Sequence, residues 1–244
     1  MMSRDKIFAE IIQKPSDFIF DEKVASVFPD MVQRSIPGYS EIIRMIGSIT
    51  AIYAKSETCL YDLGCSLGAA AFSMAASLEE CDRNCKIIAA DNSKPMIEKA
   101  VAVSKKKNFK TPLSFQLADI TSMTFEPSSV IALNFTLQFI PPAKRKELLE
   151  KLYKSLVPGG VLVLSEKVIF EDPSMNELFI DAYHNFKHLN GYSRLEISQK
   201  RTALENVLIP ESIAAHKKRL LDIGFTIAEV WFQCFNFMSL IAIK

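Results

Sequence analysis

Short apolar runs alternate with segments of helical periodicity through most of the chain. Five runs predict strands buried on both faces, and they cover residues 60–63, 86–91, 113–119, 130–135 and 161–166. Between them, apolar residues recur at helical spacing. The helix predicted for residues 142–156 stops before Pro158, Gly159 and Gly160. Strands joined by helical crossovers predict an α/β protein with a doubly wound, mostly parallel sheet.

The two ends of the chain depart from this alternation. Residues 1–55 predict an N-terminal helical cap, with Ser40 as the N-cap of a helix that contains Ile42. Residues 170–210 predict a helical insertion before the last helix, which spans 211–222 and ends at Gly224. The two β-like runs that follow, 226–230 and 235–243, are too close together for a parallel crossover, so the last strand should be antiparallel. We therefore expect residues 1–244 to form one domain around a seven-stranded sheet.

Composition narrows the classes of function. The net charge is +1, which offers no field to attract nucleic acid or an anionic membrane. No run of about 18 apolar residues is present, and the five cysteines show no metal-ligand spacing. His184 and His188 could share one helix face but have no visible third ligand. We expect a soluble cytoplasmic protein without a metal, which binds neither nucleic acid nor membranes directly.

The junction after the first strand is the strongest candidate for a ligand site. Gly64, Ser66 and Gly68 fit a nucleophile elbow, but no oxyanion loop precedes them. A dinucleotide fingerprint is incomplete, because Ser66 stands where its second glycine should be. Asp62, Gly64 and Gly68 fit the D-x-G-x-x-x-G turn of S-adenosylmethionine sites, where a carboxylate such as Asp62 would lie near the amino-acid end of the ligand. A tight turn without any ligand is the remaining alternative.

Polar residues end the next three strands. In open parallel sheets, ligands bind beyond the carboxyl ends of the strands. Asp91 suits the two ribose hydroxyls, and Asp119 with Ile120 suits the adenine. Asn134 lacks the following prolines that are typical of enzymes that methylate amines. No general base is evident near this loop.

Seven motifs make the chain resemble the bacterial carboxy-S-adenosyl-L-methionine synthases over nearly its whole length. They are FPDM at 28–31, RSIPGYS at 34–40, YDLGCSLGAA at 61–70, LNFTLQF at 133–139, LSEK at 164–167, EISQKR at 196–201 and WFQCFNF at 231–237. The resemblance implies a Rossmann-like class I methyltransferase fold and a homodimer. It also implies carboxy transfer from prephenate to S-adenosylmethionine, which yields phenylpyruvate and a donor for modification of the tRNA wobble uridine to 5-oxyacetyluridine.

The same resemblance implies the site residues. Arg201 matches the arginine that meets the added carboxylate. The residues that match the family's contacts to the nucleoside and the amino acid are Tyr39, Gly64, Cys65, Ser66, Asp91, Asn92, Asp119, Ile120 and Asn134. An ordinary methyltransferase and a non-catalytic binding protein are the alternatives.

Overall fold

One sheet organises the molecule. The computed structural model describes residues 4–13, 16–79 and 81–244. The strands are β1 (Cys59–Leu63), β2 (Lys86–Asp91), β3 (Leu113–Leu117), β4 (Ser128–Asn134), β5 (Leu156–Ile169), β6 (Glu211–Ser212), β7 (Ile227–Cys234) and β8 (Phe237–Ile243). Their order is β3-β2-β1-β4-β5-β8-β7, and β6 pairs with β5 beside this path.

The strand directions confirm the predicted fold class. Strands β1 to β5 pair with their neighbours in parallel, whereas β8 runs antiparallel to both β5 and β7. Only Phe235 and Asn236 separate β7 from β8, too few residues for a crossover. The sheet is therefore Rossmann-like, with seven main strands of which one is antiparallel, and the short β6 is an addition that the sequence did not indicate.

Helices cover both faces of the sheet. They are α1 (Glu22–Ser35), α2 (Tyr39–Tyr53), α3 (Ala69–Ser77), α4 (Lys94–Ser104), α5 (Pro142–Ser155), α6 (Pro173–Leu189), α7 (Arg194–Leu204) and α8 (Ile213–Ile223). Successive strand residues point to opposite faces. Leu60 of β1 thus packs with α2, α3 and α4, while Leu63 packs with α5 and α8. In the described part of the chain, no helix is long and apolar enough to cross a membrane.

The helix predicted to start at Ser40 begins earlier. The N-cap is Gly38, whose φ of 72° is left-handed, and α2 starts at Tyr39. The Ser40 hydroxyl instead donates to Gln33 Oε1 at 2.9 Å. The prediction of Ser40 as the cap was wrong because the positive φ at Gly38 already turns the chain into the helix.

Several predicted element ends are also corrected. Strand β3 stops at Leu117, because the chain turns at Asp119. Strand β5 begins at Leu156, and a bulge between its pairing with Ser128 and with Val130 accommodates the segment that contains Pro158. The first two residues of the predicted last helix, 211 and 212, form β6.

Candidate substrate-binding site

A cavity of about 550 Å³ opens at the carboxyl ends of the parallel strands. All ten residues singled out in the sequence line it, and they are Tyr39, Gly64, Cys65, Ser66, Asp91, Asn92, Asp119, Ile120, Asn134 and Arg201. Nine of them come from the carboxyl ends of β2 and β4, from the loops after β1, β2 and β3, or from the start of α2, and Arg201 comes from α7. The structure therefore brings together residues that lie up to 162 positions apart in the chain, from Tyr39 to Arg201.

In the turn after β1, a glycine lets neighbouring segments of the chain approach its backbone closely. Gly64 has a φ of 77°, and a Cβ added to it would overlap the Thr136 side chain. The N–H groups of Gly64 and Cys65 both donate to the Ala90 carbonyl, at 2.8 and 3.0 Å. Only glycine takes this left-handed conformation without strain while leaving room for its neighbour.

The side chain of Asp62, on β1, stabilises the start of the helix that follows the turn. Its side chain is 1% exposed, and its Oδ2 accepts a hydrogen bond from the Ala71 N–H at 2.8 Å. Burial raises the pKa of this carboxyl to about 7. Asp62 therefore holds the first turn of α3 against β1, and only its other oxygen is available to the cavity.

Asp91 joins two loops. Its Oδ2 accepts from the Ser66 N–H and its Oδ1 from the Ser93 N–H, both at 2.8 Å. Burial raises the pKa of the Asp91 carboxyl, which is 9% exposed, although these N–H donors oppose the shift. The carboxylate is held rigidly at the end of β2, and each oxygen keeps a lone pair for a ligand hydroxyl.

Asp119 and Ile120 form the wall after β3. Asp119 Oδ1 accepts from the Thr121 N–H at 2.9 Å and from the Thr121 hydroxyl at 2.8 Å. These two bonds lower the pKa of Asp119, so its carboxylate is ionised at neutral pH. The Ile120 side chain is 5% exposed. A charged acceptor beside an apolar surface can recognise an amine on a flat ring.

The end of β4 carries an unpaired amide, and a strained residue follows it. Asn134 Oδ1 is buried and has no hydrogen-bond partner among the described residues. Phe135 has a φ of 59°, an uncommon value for an aromatic residue. Its ring stacks on Tyr39 at 6.4 Å between centroids. Strained backbone of this kind is concentrated at binding sites, and the unpaired Asn134 oxygen offers an acceptor to a ligand.

One part of the cavity wall is cationic. Lys167 lies on β5, Lys187 lies on α6, and Lys200 precedes Arg201 on α7. Burial, together with the neighbouring charges of Lys200, Lys167 and Arg201, lowers the pKa of Lys187 to about 7. Burial also lowers the pKa of Lys200 to about 8. This side of the cavity therefore favours an anionic ligand.

Comparison with known proteins assigns the chain to a family. A family model described as a methyltransferase domain matches residues 60–160. The carboxy-S-adenosyl-L-methionine synthase of Aliivibrio fischeri (strain MJ11) is 55% identical over 244 residues and is matched over 100% of both chains. The chain belongs to the carboxy-S-adenosyl-L-methionine synthase family. The protein of that name from Photobacterium profundum is 54% identical, matched over 100% of this chain and 99% of its own length. Membership makes the protein an enzyme of the transferase class.

Solved structures agree with the fold of this synthase family member. A putative S-adenosyl-L-methionine-dependent methyltransferase from Methanococcus maripaludis superposes with a TM-score of 0.60 at 18% identity, over 94% of this chain and 95% of the other. The magnesium protoporphyrin IX methyltransferase of Synechocystis, solved with bound SAM, gives 0.58 at 14% identity, over 88% and 84% of the two chains. At such low identity these matches establish the methyltransferase-like fold alone.

Two histidines considered as metal ligands in this synthase-family chain do not converge. His184 lines the cavity, whereas His188 lies with its Nδ1 3.1 Å from the Tyr192 carbonyl oxygen. Across residues 4–13, 16–79 and 81–244, no group of three metal-ligating side chains is found. His184 instead adds a polar group to the cationic wall.

From the sequence of this family member we did not predict the lysines of the cationic wall as site residues. Lys187 sits in a helix whose polar residues suggest a solvated face, but α6 packs against both α1 and α7, and Lys187 is buried. One available signal was the LSEK motif, which places Lys167 at the same sheet edge as the other strand-end residues.

Proposed function

We propose that the protein converts S-adenosyl-L-methionine and prephenate to carboxy-S-adenosyl-L-methionine and phenylpyruvate. The observation that carries the proposal is full-length identity of 55% to a protein named carboxy-S-adenosyl-L-methionine synthase. The cavity supports it, because polar strand ends and a cluster of cations line the same cavity. A nucleoside can bind to the strand ends while a carboxylated partner binds to the cations.

The strand-end residues would hold the nucleoside. Asp91 is placed to accept the two ribose hydroxyls, a bidentate arrangement that a rigid carboxylate favours. Asp119 and Ile120 would take the adenine. Tyr39 and Asn134 lie on the cavity wall at the start of α2 and the end of β4, where the amino-acid end or the sulfonium group would need polar partners. No metal is required for any of these contacts.

The proposed reaction depends on positioning the two substrates more than on a general base from the protein. The sulfonium acidifies its methyl group. Prephenate becomes phenylpyruvate by losing carbon dioxide and hydroxide, the hydroxide takes the methyl proton to form water, and the resulting ylide captures the carbon dioxide. The aspartates at β1 and β2 already accept backbone N–H groups. Holding two substrates in contact is therefore the main contribution expected of the protein.

Arg201 would pair with the carboxylate that is transferred. It lines the cavity of its own chain from α7, and its guanidinium makes no hydrogen bond or ion pair with the described residues. A guanidinium fork matches a carboxylate through two parallel hydrogen bonds. This pairing would distinguish the carboxylated product from S-adenosylmethionine itself.

Mass spectrometry tests the proposed reaction. Purified protein incubated with S-adenosylmethionine and prephenate should give a nucleoside heavier by one carboxyl group, together with phenylpyruvate. Native mass spectrometry of the protein as purified should show the carboxylated nucleoside bound. Formation of S-adenosylhomocysteine with an acceptor instead would indicate an ordinary methyltransferase, and the absence of both products would contradict the proposal.

We propose further that the protein is a cytoplasmic homodimer whose product supplies a separate enzyme acting on tRNA wobble uridine. Exposed apolar side chains on the inserted helices, including Leu178 and Leu189 at 56% and 76% exposure, support a protein partner there. The net charge of +1 supports the absence of direct RNA or membrane binding. Light scattering at several concentrations should report twice the 27.4 kDa chain mass; a monomer would contradict this.

The chain from 1 to 244 is proposed to act as a single domain, with 1–55 as a helical cap and 170–210 as an insertion. Support comes from α1 and from α6 and α7, which pack on one another and on the shared cavity. Calorimetry should then show one unfolding transition, whereas two separable transitions would indicate independent units.

A further inference from the structure

The cationic wall contains two lysines whose charges the rest of the described chain does not balance. Lys200 has internal partners, since its Nζ lies 3.2 Å from Ser35 Oγ and 3.8 Å from Asp5 Oδ2. The ammonium groups of Lys167 and Lys187 have no hydrogen bond or ion pair within residues 4–13, 16–79 and 81–244. These two groups are therefore the ones that require an explanation.

The positive charge of Lys187 is the harder of the two to explain. It is 4% exposed, yet it lines the cavity. A buried cation without an anion is costly, so proteins retain one only where something compensates for it. The charges of Lys167, Lys200 and Arg201 make its surroundings still less favourable for a proton. An anion in the cavity would remove this penalty for the whole cluster.

One aromatic ring positions both ammonium groups. Lys167 Nζ lies 5.1 Å and Lys187 Nζ 4.7 Å from the centroid of the Tyr183 ring. That ring packs on Phe237 of β8 at 4.9 Å between centroids. Cation–π attraction to a packed ring fixes the direction of two otherwise flexible side chains. Two fixed N–H donor groups beside one ring make a site that can receive one carboxylate.

We propose that Lys187 and Lys167 bind the carboxylate of the second substrate that stays on the product, while Arg201 is left for the carboxylate that is transferred. This inference rests on the proposed function, in which the second substrate is a dicarboxylate. A dianion needs two cationic subsites, and the wall provides an exposed guanidinium on α7 and a lysine pair, buried Lys187 on α6 with half-buried Lys167 on β5. The subsite binds and orients; it takes part in no bond-breaking step.

The variant Lys187→Met tests the assignment, with Lys187→Arg as the charge-conserving partner. For Lys187→Met we expect the KM for prephenate to rise at least ~10-fold. The inhibition constant of phenylpyruvate should rise in parallel, because that product keeps the same carboxylate. Affinity for S-adenosylhomocysteine should change less than ~2-fold, since the residues proposed to hold the nucleoside are Asp91, Asp119 and Ile120 and not these lysines. Lys187→Arg should restore part of the prephenate affinity.

Separate controls exclude misfolding and a general effect of losing one positive charge. Lys187→Met removes an unbalanced buried charge, so the ligand-free variant should melt at or above the temperature of the wild type. Lys106→Met, at an exposed lysine after α4, removes one positive charge far from the cavity and should change none of the constants. Lys167→Met should reproduce the effect of Lys187→Met.

The outcomes separate this inference from the proposed function. A folded Lys187→Met protein with normal S-adenosylhomocysteine affinity and unchanged constants for prephenate and phenylpyruvate overturns the subsite. A wild type that makes no carboxylated nucleoside from prephenate overturns the proposed function instead. In that case, titration calorimetry with phenylpyruvate decides the subsite: binding weakened by Lys187→Met supports it, and no binding or equal binding contradicts it.

Discussion

At the scale of single residues, Asp91 is the most constrained ligand candidate. Both of its oxygens accept backbone N–H groups, from Ser66 in one loop and Ser93 in the next. The position of the carboxylate is thus fixed before any nucleoside binds. Such preorganisation reduces the entropy that binding must overcome.

Replacing Asp91 with asparagine should weaken nucleoside binding. The amide would turn its NH₂ group toward one of the two backbone donors and lose the charge that strengthens hydrogen bonds to hydroxyls. A loss of about 1.5–3 kcal/mol, roughly 10- to 150-fold in Kd, is expected. Titration calorimetry with S-adenosylhomocysteine measures it. Asp82→Asn, at an exposed loop, is the control, and equal affinity in both variants would remove Asp91 from the site.

Arg201→Ala should reduce discrimination between ligands. We expect the preference for carboxy-S-adenosylmethionine over S-adenosylmethionine to fall at least ~10-fold, because the added carboxylate loses its guanidinium partner. Competition binding measures the ratio. Arg194→Ala removes an exposed arginine from the same helix and should leave the ratio intact. If the Arg201 variant also keeps the ratio, Arg201 does not bind the added carboxylate.

Single residues also show what a sequence can and cannot indicate about a site. Asp91, Asp119 and Asn134 were recognisable because strand ends in a parallel sheet meet at one edge. Lys187 was not, because a lysine in an amphipathic helix is normally solvated. Its burial is a property of tertiary packing that no local pattern encodes.

At the scale of elements, the contact between α2 and α3 depends on one glycine. A Cβ at Gly47 would lie 2.5 Å from both Ser73 Oγ and Ser77 Oγ and 2.9 Å from the Ser73 carbonyl oxygen. The serine side chains could rotate, but the backbone oxygen cannot. The two helices therefore approach closely only because this position lacks a side chain.

Gly47→Ala should destabilise the protein even though alanine favours helices. Overpacking should cost about 1–3 kcal/mol in the free energy of unfolding, against a gain of about 1 kcal/mol from helix propensity, so we expect a net loss of up to about 2 kcal/mol. Urea denaturation measures the difference. Ser48→Ala, at the next and exposed position, should change stability little. A stabilised Gly47→Ala protein would show that the two helices can separate freely.

Elements differ in how far the sequence specified them. Strands β1, β2 and β4 were predicted nearly to their ends because they are continuous apolar runs. The first turn of α2 was misplaced because Gly38, rather than a side-chain cap, starts the helix. Strand β6 was not anticipated, since two residues become a strand only through their partner in β5.

At the scale of the whole molecule, stability should depend on pH through buried groups that the reaction does not use. Glu166 of β5 accepts the Leu137 N–H at 2.9 Å, and its other oxygen has no described partner. Burial raises the pKa of Glu166 to about 8, with Arg145 lowering it and Glu211 raising it. Burial lowers the pKa of His216 to about 4.

The two groups change stability in opposite directions as pH rises, over overlapping pH ranges. Between about 4.5 and 8 the folded protein holds a proton on Glu166 that the unfolded chain has released, so stability falls as pH rises. Between about 6.5 and 4 the unfolded chain binds a proton on its histidine that folded His216 does not accept, so stability falls as pH drops. From pH 6.5 upward, the Glu166 effect is the larger of the two.

Glu166→Gln should therefore stabilise the protein at pH 8 but not at pH 5. The amide oxygen can still accept the Leu137 N–H, while the cost of ionising a buried carboxyl disappears. The gain at pH 8 should be on the order of 2–4 kcal/mol. Urea midpoints at both pH values measure it, and Glu171→Gln, at an exposed position, should show no such difference. An equal effect at both pH values would contradict the titration.

The pairing of β5 with β6 has a consequence for how this fold can diversify. Val168 pairs with Glu211 and Ile169 with Ser212, so the two ends of the inserted segment 170–210 are fixed side by side. A segment anchored in this way can be exchanged for one of another length at little entropic cost. Since Lys187, Lys200 and Arg201 all lie in it, a chimaera carrying a different insertion would keep the residues proposed to bind the nucleoside and acquire a new site for the second substrate.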